Sequence, residues 1–281
     1  MPERSMLNLV TSMNEKLYHE YGDRMISGFE HFAADDVRLI VVFEGKKPEA
    51  LNPSGRHYSV VALSSERHTR FHKFFGHLYE ASGLRMTRVL DAQGNPALKP
   101  VWDYKFSAIR FSFKVFALEI ARRLMAEGNA FAWIDADVKC LKHFSHENLE
   151  KYLPHGDEVM SYLGRTSFPK GAPYSECGFL GFNAAHKHVD QFLNRMLEIY
   201  SSGEIFSLEQ WHDSWIWDVV RREFEQMGIA FKNISGPASD LEHPFINCGL
   251  GDYFDHLKGP ARKKAGSSFV TDIQRPLSKV G

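Results

Sequence analysis

A chain of 281 residues with 43% hydrophobic and 25% charged residues can fill one large α/β domain or two small ones. Its 22 phenylalanines point to a bulky core, which excludes a disordered protein. A formal charge of -1 with a pI near 6.9 supplies no global field for nucleic acid or anionic lipid, so any polyanion must meet a local patch. The cysteines Cys140, Cys177 and Cys248 are widely spaced and form no C-x-x-C, which argues against a disulfide framework or a thiolate zinc site and fits a reducing compartment. No uncharged run approaches the roughly 18 residues of a membrane span, so a cytoplasmic or at most peripheral protein is expected.

The apolar run 6–12 reads as a strand and residues 15–32 as an amphipathic helix. Residues 37–43 (VRLIVVF) follow as a second buried strand, which makes a β-α-β opening to a parallel sheet. Ligands of such sheets gather at the strands' carboxyl ends, where Thr11, Ser12 and Asn14 stand; the same residues also suit helix caps. Residues 44–65 look irregular and 66–81 helical. His68 and His72, four apart on that helix, read as a solvated face. Residues 91–102 read as a Gly/Pro loop and 104–125 as a long helix. That helix sets Arg110 and Lys114 on one face, either toward phosphate or in surface ion pairs.

Residues 130–138 (AFAWIDADV) form the centre of the reading. An apolar strand here delivers Asp135 and Asp137, alternate residues of an extended chain, to one place. Two carboxylates so close need a proton or a cation between them, and magnesium or manganese, hard cations that prefer oxygen, are the expected occupants. The same D-x-D also occurs in surface turns and in other metal enzymes. Further on, 140–153 reads as a turn with a short helix and 159–163 as a strand. Residues 164–175 read as a mobile loop expected to order over a ligand, and 176–183 as a strand opened by Glu176. In that strand Gly178 and Gly181 imply close backbone approach. Helices are expected over 186–201 and 208–227, the second with Trp211, Asp213, Trp215 and Trp217 near its start. The segment 243–263 ends in a basic turn with Gly259, Arg262 and Lys263, suited to a diphosphate. No Walker A loop, G-x-G-x-x-G, H-E-x-x-H or G-x-S-x-G is present.

Trp133 to Val138 resembles the D-x-D strand end of GT-A glycosyltransferases, nucleotide-sugar enzymes with a Rossmann-like sheet. Residues 176–183 resemble the family's later strand. His256, Gly259 and Arg262 resemble the H-x-x-G-x-x-K signature of the glycogenin-like and lipopolysaccharide galactosyltransferase-like family eight, with Arg262 in the place of the lysine and Lys263 beside it. The resemblance implies an α/β GT-A fold, a mostly parallel central sheet flanked by helices, in one domain. Residues 1–140 would be its nucleotide-binding half, 141–265 its acceptor-binding half and 266–281 its tail.

The resemblance further implies a metal-dependent glycosyltransferase that uses a nucleotide-sugar donor, with UDP as the expected nucleotide, and retains configuration. Asp135, Asp137 and His256 would hold Mn2+ or Mg2+. Arg262 or Lys263, with Arg110 and Lys114, would neutralise the diphosphate near Gly259, and Thr11 and Asn14 would lie near the nucleoside. Glu176 and Asp213 are both candidates for the group beneath the anomeric carbon. The acceptor is expected to be a saccharide, a lipid-linked glycan or another hydroxyl; a hydroxylated DNA base is a further alternative, given the small basic cluster at 262–264. A divalent-metal nucleotidyltransferase or phosphohydrolase, or a non-catalytic binding module, are the competing readings.

Overall fold

The computed structural model describes residues 6–125, 131–166 and 174–274. The opening β-α-β unit is present, with β1 at Leu7–Met13 and β2 at Val37–Phe43 paired in parallel. The intervening helix is broken: α1 (Glu15–Leu17) passes through a π-helical turn at Tyr18–Gly22 before α2 (Asp23–Phe32). Gly22 in that turn lies so close to the Met13 side chain that a Cβ would overlap its sulfur, which explains a bulge at this residue.

Residues 44–65, read as irregular, contain a further strand, β3 (Tyr58–Ala62), parallel to β2. After α3 (Glu66–Phe75) the expected 91–102 loop is half of an antiparallel hairpin, β4 (Leu84–Leu90) with β5 (Pro96–Trp102). Its prolines mislead a pattern reading, yet in a two-stranded ribbon each strand keeps a free edge where a missing N–H costs nothing. His68 and His72 are half-buried rather than solvated. Their rings stand 4.2 Å apart and pack on Phe113, and burial pushes His68 down to about 4.

The chain continues through α4 (Ala108–Leu124), β6 (Phe131–Ile134), β7 (Val138–Cys140), α5 (His146–Glu150), β8 (Glu158–Leu163) and β9 (Glu176–Phe182). Then follow α6 (Val189–Ser201), α7 (Asp213–Gln226), β10 (Ala230–Asn233), α8 (Pro244–Asn247), β11 (Phe254–His256) and α9 (Pro260–Ala265). Most of the loop expected to order over a ligand, residues 167–173, lies outside the described residues.

Seven strands form one sheet in the order β10-β8-β9-β6-β1-β2-β3. All run parallel except β9, which is antiparallel to both β6 and β8. The fold is thus the expected mixed α/β architecture with a mostly parallel sheet between helices. Strands buried on both faces need continuous apolar runs, and alternate residues divide between two cores. Leu9, Ala132 and Ile134 pack with Phe29 of α2, Phe144 and Phe254, whereas Val10, Phe131 and Trp133 pack with Phe116 of α4, Phe192 and Trp217. Of the three tryptophans of 211–217, Trp217 is fully buried, while Trp211 and Trp215 pack against the same core half-buried.

Candidate active site

The register of the sheet decides what meets at one edge. Parallel pairing brings the carboxyl ends of β1, β2 and β6 together, so Asn14, Glu44 and Asp135 follow strands that finish side by side. Because β9 is antiparallel, its amino end reaches that same edge. Ile134 pairs with Phe179, the Asp135 amide donates to the Gly178 carbonyl at 3.0 Å, and Glu176 arrives beside the D-x-D. A parallel β9 would have carried Glu176 to the opposite end of the molecule.

The chain after β10 closes the site from outside. Strand β11 pairs antiparallel with β7, setting His256 opposite Val138, and the Leu257 amide donates to the Asp137 carbonyl at 3.0 Å. Gly178 makes room for this approach: a Cβ there would lie 2.7 Å from His256 Cε1, too close for any side chain.

His256 is buried at the hub of the cluster. Its Nε2 lies 3.3 Å from Asp137 Oδ1 and 3.5 Å from Asp135 Oδ2, and its Nδ1 lies 3.2 Å from Glu176 Oε1. Burial alone would lower this imidazole, but the charge of Asp137, together with the hydrogen bonds the ring donates to Asp135 and Glu176, holds it well above its ordinary value. Asp135, Asp137 and His256 can bring one ligand atom each within 4.8 Å of one another, and so can Glu176, His243 and His256. Two carboxylates and an imidazole make a mixed oxygen and nitrogen donor set that fits manganese or magnesium. Nothing else in the second trio is open, because Glu176 is enclosed.

Glu176 is 3% exposed and both its oxygens are engaged. Oε1 meets His243 Nε2 at 3.0 Å and Lys258 Nζ at 3.6 Å in addition to His256, while Oε2 accepts from the Phe245 amide at 3.1 Å and faces Arg165 at 3.6 Å. Burial would raise its carboxyl, but His243 and Lys258 pull it well below its ordinary value. His243, Lys258 and Arg165 carry no spacing signal in the sequence. Their roles depend on a contact between distant segments.

Lys114 is the second hub. Its ammonium contacts Asp135 Oδ1 at 2.9 Å, Asp213 Oδ2 and the Cys177 carbonyl at 2.8 Å. Burial would lower it, yet Asp135 and Asp213 hold it well above its ordinary value. An ammonium has three donors, and all three are engaged here. The sequence reading aimed Lys114 at phosphate, but the structure uses it to hold two acids together. Asp135, pulled well down by Lys114 against the effect of burial, also accepts from Trp133 Nε1 at 2.6 Å.

The other expected residues divide. Lys263 reaches the site, its Nζ 2.8 Å from Asp137 Oδ2. Arg262 turns away, with Nε 2.7 Å from Asp272 Oδ2, its guanidinium over Phe269 and a further contact to the Lys258 carbonyl. Gly259 has φ +86° and open space where a side chain would stand. Arg110 is exposed beside the Trp102 ring, one turn before Lys114. Asn14 caps α1, accepting from the Leu17 amide at 3.0 Å, and donates to Glu44 Oε2 at 3.3 Å, while Thr11 is fully buried with an unpaired hydroxyl. Asp213 opens α7 beside His212, whose ring packs on Tyr104 and Tyr174 at 5.5 and 4.8 Å.

No family model matches the chain, and no curated protein is similar to it in sequence. Among solved structures, the apo form of mouse xyloside xylosyltransferase 1 is similar over 81% of this chain and 84% of that chain, with 13% identity and a TM-score of 0.43. The galactosyltransferase LgtC, in complex with donor and acceptor sugar analogues, is similar over 81% and 74%, with 14% identity and a TM-score of 0.43. The bifunctional glycosyltransferase WbbM, in apo form, is similar over 84% of this chain and 40% of that chain, with 12% identity and a TM-score of 0.47.

Proposed function

We propose that this chain is a metal-dependent glycosyltransferase that moves a sugar from a nucleotide diphosphate sugar, UDP-sugar by expectation, to a hydroxyl acceptor with retention of configuration. The observation that carries the reading is the chain Glu176 Oε1, His256 Nδ1, His256 Nε2, Asp137 and Asp135. A carboxylate that accepts from His256 Nδ1–H fixes the ring and sets Nε2 against the two acids, where a divalent cation would take the place of the Nε2 proton; metal-binding histidines are held in this way. Asp135, Asp137 and His256 would hold a divalent cation, which would supply Lewis-acid stabilisation of the charge on a departing diphosphate.

The protein's own groups then have separate tasks. Lys263 stands at the open side of Asp137, placed to meet phosphate oxygens, and Gly259 leaves backbone room beside it. Arg262 orients that turn through Asp272. Asn14, with Glu44, lies at the strand ends where a nucleoside would rest and Arg110 flanks the same side, while Thr11 is enclosed within β1. Glu176 positions His256, since it is buried among His243, His256 and the Phe245 amide rather than open to a sugar. Asp213 is therefore the acid assigned to the anomeric carbon, held beside Asp135 by Lys114.

Slow hydrolysis of a panel of nucleotide sugars, measured with and without manganese, tests the reading. Turnover of one donor that requires the metal supports it. Absence of both turnover and binding for every donor refutes it, and cleavage of a nucleoside triphosphate in preference to any sugar donor would favour the nucleotidyltransferase alternative.

A further inference from the structure

We propose that one face of the β4–β5 hairpin docks on an anionic lipid surface. Residues directly opposed in an antiparallel ribbon share a face, and the pairs Leu84 with Trp102, Met86 with Pro100, Arg88 with Leu98 and Leu90 with Pro96 all lie on one. That face is apolar except for Arg88, and it is uncovered: Leu90 is 71% exposed, Leu98 64%, Met86 56% and Trp102 50%. Among the described residues the hairpin is a two-stranded sheet of its own. Its other face is anchored at the base, where the Arg85 guanidinium lies over Phe106 and Trp211 at 3.8 and 4.6 Å.

Charge selects the occupant. Between Leu84 and Arg110 the chain carries five cations (Arg85, Arg88, Lys99, Lys105, Arg110) against two acids, although the whole protein has a formal charge of -1. Both acids are engaged by backbone: Asp91 accepts from the Gln93 and Asn95 amides at 2.9 and 2.8 Å, and Asp103 accepts from the Lys105 amide at 3.0 Å. On the exposed face Arg88 stands among Met86, Leu90 and Leu98, and Arg110 flanks Trp102 at the base, which suits the boundary between acyl chains and phosphate headgroups. The polar turn 91–95 would keep the ribbon flat on that boundary rather than inserted tip first. A second copy of the chain would meet the same positive charge across the contact, which disfavours self-association.

Docking does not depend on the transferase reading, but its consequence does. The hairpin's base is tied to the site, because the Trp211 amide donates to the Lys105 carbonyl at 2.6 Å and the Tyr104 and Tyr174 hydroxyls lie 2.5 Å apart. A docked ribbon would hold the Asp213 side of the site toward the headgroups, where a lipid-linked acceptor would be presented.

Co-sedimentation of the full chain with vesicles of phosphatidylcholine alone, and of phosphatidylcholine with phosphatidylglycerol, tests this. Binding is expected to the anionic vesicles and to weaken with salt. It should fall by about tenfold or more in Leu90→Ser/Leu98→Ser and by about fivefold in Arg88→Gln, with manganese-dependent donor hydrolysis unchanged. Absence of vesicle binding by the unaltered chain, or equal binding by the double serine variant, overturns the proposal. So does a solution dimer that Leu98→Ser converts to monomer, which would assign the face to a second copy. Vesicle binding without donor hydrolysis would refute the transferase reading and leave the docking intact; the reverse result would do the opposite.

Discussion

Helix α4 joins two regions that invert the usual partition of a protein in opposite senses. At its start the β4–β5 ribbon exposes leucine, methionine and tryptophan; one turn along, Lys114 is buried between Asp135 and Asp213. Buried charges require partners and exposed apolar faces require covers, so each inversion costs free energy unless something outside the chain offsets it. In the charged region much of the compensation is internal, since Lys114, Lys263, His256 and His243 surround four carboxylates. In the ribbon no described residue covers the apolar face. The comparison teaches that the site is assembled by folding, whereas the ribbon is completed only by contact.

Substitutions can break or sharpen that contrast. The largest expected effect is that of Lys114→Met, which leaves a buried carboxylate, Asp213, facing a half-buried one, Asp135: about 3 kcal/mol of stability and most of the activity should be lost, read by chemical denaturation and donor hydrolysis. A variant as stable as the unaltered chain would mean that Asp135 and Asp213 are solvated after all. Next comes His256→Ala, for which manganese-dependent hydrolysis is expected to fall by about 10²- to 10³-fold with the manganese dependence displaced to higher concentration. An unchanged manganese titration would remove the tail from the metal site.

Glu44 gives a smaller, pH-dependent effect. Burial, opposed by hydrogen bonds from Ser12 and Asn14, pushes its carboxyl up to about 7 from an ordinary 4.5. A raised folded value means that the contribution is fully present below about 4.5 and lost as the pH climbs through 7, where the folded chain must ionise a half-buried acid. Glu44→Gln should therefore be the more stable protein at pH 8, by about 1–2 kcal/mol, with the difference vanishing near pH 4.5. Parallel thermal melts of the two proteins across that range check it; a constant difference would place the acid in water. Smallest of all, Leu98→Ser should change stability by less than about 0.5 kcal/mol, because its side chain already stands in solvent. A loss of several kcal/mol in a denaturant titration would show the ribbon to be part of a core.

Much of the central sheet was legible because doubly buried strands announce themselves. VRLIVVF is β2 to the residue, and the apolar run before Asp135 is β6. Strand β3 and the hairpin were not, since YSVVA lies half-buried among turn residues and Pro96 and Pro100 obey an edge rule that a period-2 reading discounts. Asp135, Asp137 and His256 could be named from the chain and do converge. The partners that set their charge could not: the sense of β9, which brings Glu176 to the edge, and the pairing of β7 with β11 are long-range choices without local residue signals. Lys114 illustrates the limit, for its spacing from Arg110 predicts a shared face yet not that one cation is enclosed and the other open.

The pairing of β7 with β11 also bears on how the protein is made. A chain leaves the ribosome amino end first, at about 5–20 residues per second, and its early parts begin folding before the last are synthesised. Strands β1 to β10 can thus assemble with Asp135 and Asp137 already at the edge, while His256 and Lys263 are still to be translated. A nascent or prematurely terminated polypeptide would hold the acids without the imidazole and ammonium that complete them. The complete cluster of acids, imidazole and ammonium is in this way reserved for chains translated past Lys263.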